Sequence, residues 1–209
     1  MSPLGPAYRV VTPRLVIRCY APTDAPMVKA AIDASLPELV KFLPWAHGEP
    51  TDVATKAALL RQFRGRFDLG QDFVYGIFDR AERECLGGTG LHTRQGPHVR
   101  EIGYWIATAH TKKGYATEAA SALLQVAFRV DHVGRVEVRS LPENAASVAV
   151  ARKIGMQLEG TARGAHVWQD GTTRDMLVFS AVPADLDRIP ARLVPVEAFG
   201  AAGERLTLR

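Results

Sequence analysis

Alternating apolar and polar residues predict strands along much of the chain. Residues 12–20 (TPRLVIRCY) alternate over a short run and predict a first strand. Three later runs are separated by charged or glycine-containing turns, which predicts an antiparallel meander. The remaining apolar runs predict one more strand and a long hairpin around the turn QDGT. The runs after the first strand cover 73–78, 85–92, 99–107, 135–140, 156–168 and 174–182.

Helical periodicity is interleaved with these strands. The strongest helix covers 116–130, where Glu118, Ser121, Gln125 and Arg129 form a single polar stripe. Start and stop residues predict four other helices. They cover 25–35 after Asp24, 38–43 before Pro44, 53–67, and the segment opened by Asn144 and closed by Gly155.

This order of elements predicts an α/β (α+β) fold with a mixed, mostly antiparallel central sheet flanked by helices. The pattern places the domain at 8–183. The C-terminal extension, 184–209, has mixed charge, and the sequence leaves its order open.

Composition narrows the functional classes. The 209 residues include two distant cysteines and six histidines without metal-ligand spacing, so we expect neither a disulfide framework nor a metal. No apolar run approaches the roughly 18 residues that span a bilayer, and no signal-peptide pattern is present, which favours the cytoplasm. The net charge of +4 would suit nucleic acid, but no basic block is interleaved with aromatic residues, so we do not expect a nucleic-acid partner.

A single glycine lies between the strand ending at residue 107 and the long helix, in the segment TAHTKKGYATEA. Gly114 permits a tight turn that gathers backbone N–H groups at the positive end of a helix, which is a site for a pyrophosphate. Lys112 and Lys113 add positive charge beside it. Taken alone, one glycine before a helix is more often only a loop.

The surrounding segments resemble the Gcn5-related N-acetyltransferase (GNAT) family, in particular its RimJ/RimL-type branch, which acylates protein N-termini and small amines. The family signature Gln/Arg-x-x-Gly-x-Gly/Ala falls on residues 111–116, with Thr111 in its first position. That departure is tolerable because backbone amides hold the pyrophosphate. Together the matching segments cover about residues 12–185 in the family's order. They are TPRLVIR, SLPELVKFLPWAH, EIGYWI, NAASVAVARKIGM and TTRDMLVFSAV.

Acyl transfer requires a neutral amine, and an α-amine with a pKa of about 7.7–8.0 loses its proton more readily than a lysine at about 10.4. A single carboxylate acting through water could therefore suffice. Glu101 opens the segment EIGYWI among apolar residues, and the resemblance implies a general base on this strand. Alternatively, Glu101 faces solvent or pairs with Arg100 or another cation. Glu118 is a weaker candidate, since a carboxylate in a first helical turn commonly complements the helix dipole.

Asn144 and Ser147 form an Asn-x-x-Ser motif at the start of the last helix. Helix capping alone would account for both residue types. The resemblance instead places Asn144 against the pantetheine arm and Ser147 at the thiol, where its hydroxyl could bond to the departing sulfur. Relatives outside this branch use a tyrosine four residues before the closing glycine. Ala151 occupies that position, which favours Ser147 as the leaving-group partner.

The resemblance also implies an oxyanion donor, a backbone N–H near residues 105–107. Lys153 could contact the cofactor's adenine end or complement a helix dipole. Tyr104 and Trp105 alternate along one strand, so only one of them faces the acceptor. The residues expected at the acceptor are Trp45, Tyr104 and Glu101. Those expected at the acyl-CoA are Trp105, Ile106, Ala107, Thr111, Lys112, Lys113, Gly114, Tyr115, Ala116, Thr117, Asn144, Ser147 and Lys153.

The sequence therefore predicts an N-acetyltransferase that moves an acetyl group from acetyl-CoA to a primary amine by direct attack in a ternary complex. The acceptor would be a protein N-terminal α-amine or a small-molecule amine. Succinyl-CoA or another acyl-CoA is an alternative donor, and a non-catalytic acyl-CoA-binding regulatory module is an alternative function. The oligomeric state, a homodimer included, is left open.

Overall fold

The computed structural model describes residues 6–168 and 170–208. Its strands form one sheet whose members were mostly predicted from alternation. The strands are β1 (Arg9–Val11), β2 (Leu15–Cys19), β3 (Phe73–Asp79), β4 (Cys85–His92), β5 (Val99–Ile106), β6 (Arg135–Ser140), β7 (Gln157–Val167), β8 (Thr173–Ala181), β9 (Glu197–Phe199) and β10 (Arg205–Leu206). They lie in the order β10-β9-β1-β2-β3-β4-β5-β6-β8-β7. Within the described chain, β5 and β6 pair in parallel, and the other neighbours pair antiparallel.

Helices cover both faces of the sheet, as the α/β prediction requires. One buried cluster joins the sheet to the first three helices through residues such as Val16, Val28 and Leu60. The other joins it to the last two helices through residues such as Ile17 and Leu123. The helices are α1 (Ala25–Asp33), α2 (Leu36–Leu39), α3 (Val53–Asp68), α4 (Tyr115–Arg129) and α5 (Ala145–Lys153).

The predicted fold class is confirmed, with local differences. The helix expected over 38–43 begins earlier, at Leu36, and ends at Leu39. Pro37 suits the first turn of a helix, and Pro44 disfavours α-helical backbone just before it. The strands β1, β9 and β10 were not predicted because two or three residues cannot show a period of two.

The C-terminal extension forms an ordered strap across the molecule. After Pro183 the chain makes two 3-10 turns, and β9 then pairs antiparallel with β1. Leu186, Ile189 and Ala191 are buried in the same cluster as the residues of α4. The strap, defined here as residues 184–208, is therefore part of the packed fold.

The polar stripe of α4 is where other parts of the chain attach. Ser121 and Gln125 are each 2% exposed although both are polar. The Gln125 side-chain amide donates to the carbonyl oxygens of Ala191 and Val194, at 2.9 Å each. The stripe is thus a buried docking surface for the strap.

Replacing Gln125 with methionine should destabilise the fold by about 1–3 kcal/mol. Methionine keeps the length of the side chain but leaves the two strap carbonyls without their donor. Chemical denaturation gives the free energy of unfolding, and the exposed strap residue Arg188, changed to alanine, is the matched control. Equal stabilities for Gln125→Met and Arg188→Ala would contradict this role for the amide.

Candidate functional site

The two parallel strands at the centre of the sheet part after a short paired stretch. β5 and β6 pair at three positions, ending with Glu101 opposite Glu137. Beyond that pair, β5 stays bonded to β4 up to Ile106, and β6 stays bonded to β8 up to Ser140. The facing edges of β5 and β6 therefore diverge and leave a cleft that opens toward the end of β5.

The predicted phosphate loop follows β5. Gly114 is the N-cap of α4 with φ of +84°, and Lys112 also has a left-handed φ of +61°. Such a loop directs successive backbone N–H groups to one side, next to the first turn of α4, where helical N–H groups have no intrahelical partner. The geometry therefore suits the anion site that the sequence predicted.

Arg14, which was not predicted as a site residue, braces this loop. Its guanidinium donates to Glu118 at 2.6 Å and to the Lys113 carbonyl at 2.9 Å, and it lies 4.7 Å from the centre of the Tyr115 ring. The other Glu118 oxygen accepts from the Thr12 hydroxyl at 2.6 Å and from the Arg14 backbone N–H at 3.0 Å. Glu118 therefore anchors the loop and the turn before β2, which agrees with its place as a weaker candidate than Glu101 for the general base.

An open groove of about 510 Å³ runs from the loop toward the strap. Arg14 and Lys153 contribute positive charge to its walls, and Leu193, 68% exposed, contributes apolar surface. The groove therefore continues from the proposed pyrophosphate position onto a surface with both charge and apolar area. Its lining residues are Pro13, Arg14, Gly114, Thr117, Glu118, Lys153, Leu193, Val194 and Pro195.

Ser147 and Tyr104 meet across the cleft. The Asn144 side chain caps α5 by accepting from the Ser147 backbone N–H at 3.1 Å, which leaves the Ser147 hydroxyl outside the cap. The Tyr104 hydroxyl lies 3.2 Å from Ser147 Oγ and 3.1 Å from the Ser147 carbonyl oxygen. Burial raises the pKa of Tyr104 to about 12, although its bond to Ser147 acts in the opposite direction. A protonated tyrosine thus lies beside Ser147. It comes from β5, whereas the tyrosine of relatives outside this branch would lie on α5 at the position of Ala151.

Trp105 points to the opposite face of β5. Its ring packs edge-to-face on Trp45, with centroids 6.0 Å apart, and Trp45 is 45% exposed. Trp168, in the turn that joins β7 to β8, packs against His47 in the same way at 6.1 Å. Tyr104 and Trp105 therefore lie on different sides of the strand, with the aromatic residues on the Trp105 side.

Glu101 lies at the apex of the cleft and is 8% exposed. One of its oxygens accepts from Arg94 Nη2 at 2.7 Å, and the other accepts from Arg94 Nε at 3.1 Å and from Gln95 at 2.8 Å. Arg100 was one predicted partner of Glu101, but it pairs with Asp131 instead. Both Glu101 oxygens are therefore engaged by the loop after β4.

His92, the last residue of β4, is directly opposite Glu101. Its Nδ1 lies 3.1 Å from both oxygens of Asp72, just before β3. Burial opposes ionisation of Asp72, but the hydrogen bond and charge of His92 outweigh it and hold the pKa of Asp72 below its ordinary value. This pair was not predicted, because 20 residues separate its members and no short motif joins them.

Comparison of the sequence with models of known protein families identifies the family of this chain. The model described as "Acetyltransferase (GNAT) domain" matches residues 14–157. The chain belongs to the GNAT acetyltransferase family.

Individual relatives agree with that assignment. The "[Ribosomal protein uS5]-alanine N-acetyltransferase" of Escherichia coli (strain K12) is 27% identical over 188 residues, covering 86% of this chain and 93% of that protein. "Uncharacterized N-acetyltransferase YnaD" of Bacillus subtilis (strain 168) is 31% identical over 152 residues, covering 72% of this chain and 84% of that protein. The solved structure "Mycobacterium smegmatis RimJ in complex with CoA-disulfide" superposes with a TM-score of 0.75 at 23% identity, covering 89% of this chain and 91% of that one.

The predicted family, its RimJ/RimL-type resemblance and the acyl-CoA donor are confirmed. This GNAT protein is an acyl-CoA-dependent N-acetyltransferase that uses acetyl-CoA as its co-substrate. Among the described residues, no helix is long and apolar enough to cross a membrane. No cluster of three metal-ligating side chains occurs in that part of the chain.

The predicted site residues at the end of β5 and in the loop after it have different neighbours. Ile106 packs against the core beside α4, and the Ala107 N–H donates to the Leu86 carbonyl at 2.9 Å. Alternate N–H groups of a strand face the same neighbour, so the Trp105 N–H also faces β4. Of the three N–H groups predicted near 105–107, the one that faces the cleft is therefore that of Ile106. The Thr111 hydroxyl bonds back to the Thr108 carbonyl at 2.9 Å, which stabilises the loop.

Replacing Gly114 with valine should weaken acetyl-CoA binding about tenfold or more, because a β-branched residue is strained at positive φ and obstructs close approach of a pyrophosphate. A Cβ at this position would also lie 3.3 Å from Arg14 Nη2. Calorimetry measures the dissociation constant. Gly203→Val is the matched control, since Gly203 has φ of +81° in open space elsewhere. Wild-type affinity of Gly114→Val for acetyl-CoA would contradict pyrophosphate binding by this loop.

Proposed function

We propose that this protein transfers the acetyl group of acetyl-CoA to a primary amine by direct attack within a ternary complex, and that a protein N-terminal α-amine is the first acceptor to test. The observation that carries the proposal is the placement of two different groups of side chains on the two faces of β5. Tyr104 with Ser147 lies on one face, and Trp105 with Trp45 and Glu101 lies on the other. Donor and acceptor can thus approach the cleft from opposite sides at the same time.

The donor would enter along the diverging edges of β5 and β6. An extended pantetheine arm can bond to an exposed strand edge much as an added strand does. Its pyrophosphate would bind the N–H groups of residues 112–117, and the nucleotide would continue into the groove beside Arg14 and Lys153. In this arrangement the thioester lies near Ser147.

The leaving sulfur would be received by the hydroxyl pair of Ser147 and Tyr104. As the C–S bond breaks, the sulfur gains negative charge, and a hydroxyl that turns toward it stabilises that charge. The raised pKa of Tyr104 keeps its hydroxyl protonated, so it acts as a hydrogen-bond donor at neutral pH. The acyl oxygen would accept from the backbone N–H of Ile106, which faces away from β4.

The acceptor would lie on the Trp105 face. Two groups there can receive its proton, the predicted base Glu101 and His92 on the neighbouring strand. An α-amine needs less help than a lysine to become neutral, which favours N-termini as acceptors. The relative from Escherichia coli is named for acetylating an alanine of ribosomal protein uS5, which supports the same choice.

A screen of acceptors that follows CoA release tests the proposal. The panel should contain peptides with free and with blocked N-termini, polyamines, amino acids and aminoglycosides. Faster release with free N-termini than with their blocked forms is expected. A preference for amines of the other classes would replace the acceptor assignment, and a faster reaction from succinyl-CoA would replace the donor. Binding of acetyl-CoA without release for any amine would indicate the non-catalytic module.

Ser147→Ala should lower kcat about tenfold or more with little change in stability, because the lost hydrogen bond strengthens only as charge develops on sulfur. The N-cap of α5 uses the Ser147 backbone N–H, so it survives the substitution. Initial rates and thermal unfolding on the same variant give both quantities. Asp52→Ala is the control for a lost cap, since Asp52 caps α3 through the Thr55 N–H at 2.7 Å, and it should lower stability without changing kcat. A less stable but fully active Ser147→Ala would remove Ser147 from the chemistry.

A further inference from the structure

The acceptor face carries a row of polar side chains across the sheet at the apex of the cleft. His92 is opposite Glu101, Glu101 is opposite Glu137, and Glu137 is opposite Ser180. Like charges directly opposite each other in a sheet repel. The carboxylates of Glu101 and Glu137 therefore need positive partners to remain ionised side by side.

Each carboxylate has those partners. Arg94 donates to both oxygens of Glu101, and Arg135 and Arg139 donate to the two oxygens of Glu137 at 2.8 and 3.0 Å. Three donors, two from Arg94 and one from Gln95, hold the Glu101 carboxylate between β5 and the loop after β4. This geometry suits a residue that positions the strand and the loop.

His92 has the opposite arrangement. An ionised Asp72 can only accept, so Nδ1 of a neutral His92 carries the hydrogen and Nε2 carries the free lone pair. Nε2 forms no hydrogen bond with the residues that the structure describes.

Two glycines make room for this ring above the sheet. Nε2 would lie 2.7 Å from a Cβ built on Gly90 and 3.3 Å from one built on Gly103, so any side chain at Gly90 would displace the ring. Gly90 and Gly103 are paired, and they lie two residues along the strands from the His92–Glu101 pair, toward Trp105 and on the same face. Nε2 is therefore directed from the apex toward the aromatic residues of the acceptor face.

We propose that His92, held by Asp72 and seated over Gly90 and Gly103, is the group that receives the proton of the acceptor amine, while Glu101 is a positioning residue. This inference rests on the proposed acetyl transfer. The ammonium of the acceptor gives one proton to Nε2, directly or through one water, and the neutral nitrogen then bonds to the acyl carbon. The C–S bond breaks with its electron pair going to sulfur, and the nitrogen loses a second proton. One of the two protons ends on the CoA thiol and the other in solvent.

The first test compares the kcat–pH profiles of matched variants, using an acceptor that the wild type acetylates. His92→Gln should lower kcat on the order of 100-fold and remove the ascending limb, as loss of a general base does. Asp72→Asn should lower kcat, because the asparagine amide can also donate to the ring and so no longer keeps the hydrogen on Nδ1 and the lone pair on Nε2. Exposed His98, changed to glutamine, is the control and should keep the wild-type profile.

Glu101→Gln separates the two candidate bases. It should keep the ascending limb and change mainly the KM for the acceptor. A Glu101→Gln variant that loses the limb, beside an active His92→Gln, would overturn the inference and assign the proton to Glu101. A different result would contradict the proposed acetyl transfer itself: a wild-type protein that releases no CoA with any amine.

A second test needs no turnover. Nitrogen-15 NMR of labelled histidine, assigned with His92→Gln, should show the His92 ring with hydrogen on Nδ1 and none on Nε2 at high pH. A ring with hydrogen on Nε2, or a tautomer unaffected by Asp72→Asn, would overturn the inference whatever the acceptor is.

Discussion

The central constraint on this protein is that β5 and β6 separate in the middle of a continuous sheet. A strand edge exposes a row of backbone donors and acceptors, and such groups are rarely left without partners. Here the divergence is fixed from outside, because β5 is paired to β4 at six positions and β6 to β8 at five. Tyr104 and Ser147 bridge the open part of the cleft. In the proposed binding mode, an extended acyl-CoA arm would be the partner of these edges, so the divergence that interrupts the sheet would also create the donor site.

Parallel pairing at the apex has an electrostatic consequence. The last paired position before the strands part places Glu101 beside Glu137, and three arginines neutralise the two carboxylates. The arrangement stabilises the apex from which the cleft opens. It also fixes the position of the carboxylate that the sequence favoured as a base, Glu101. Nε2 of the adjacent His92, in contrast, forms no hydrogen bond with the residues that the structure describes. Stability of the cleft and choice of the proton acceptor are thus connected through one cross-strand row.

Much of this could be predicted from the sequence because it is local. Alternation and helical periodicity identified most of the longer strands and helices, and the turn at Gly114 and the motif of Asn144 and Ser147 each lie within a few residues. What could not be predicted depends on residues distant in the chain. Thr12 meets Glu118 across 106 positions and Tyr104 meets Ser147 across 43, and no period or short motif records such contacts. Alternation shows that Tyr104 and Trp105 point to opposite sides of β5. It does not show which helices cover each side, so the surroundings of Tyr104 could not be predicted.

The N-terminal strands and the strap meet at α4, beside the groove of the proposed donor site. The turn between β1 and β2 reaches α4 through Thr12 and Arg14, and the strap reaches it through the Gln125 side chain. Both segments line the groove that begins at Gly114. The first helix turn that would bind a pyrophosphate is therefore held by contacts that also close the fold. A ligand that binds only the folded state stabilises it by mass action, and here that stabilisation would act on the contacts that join the N-terminal strands and the strap to α4.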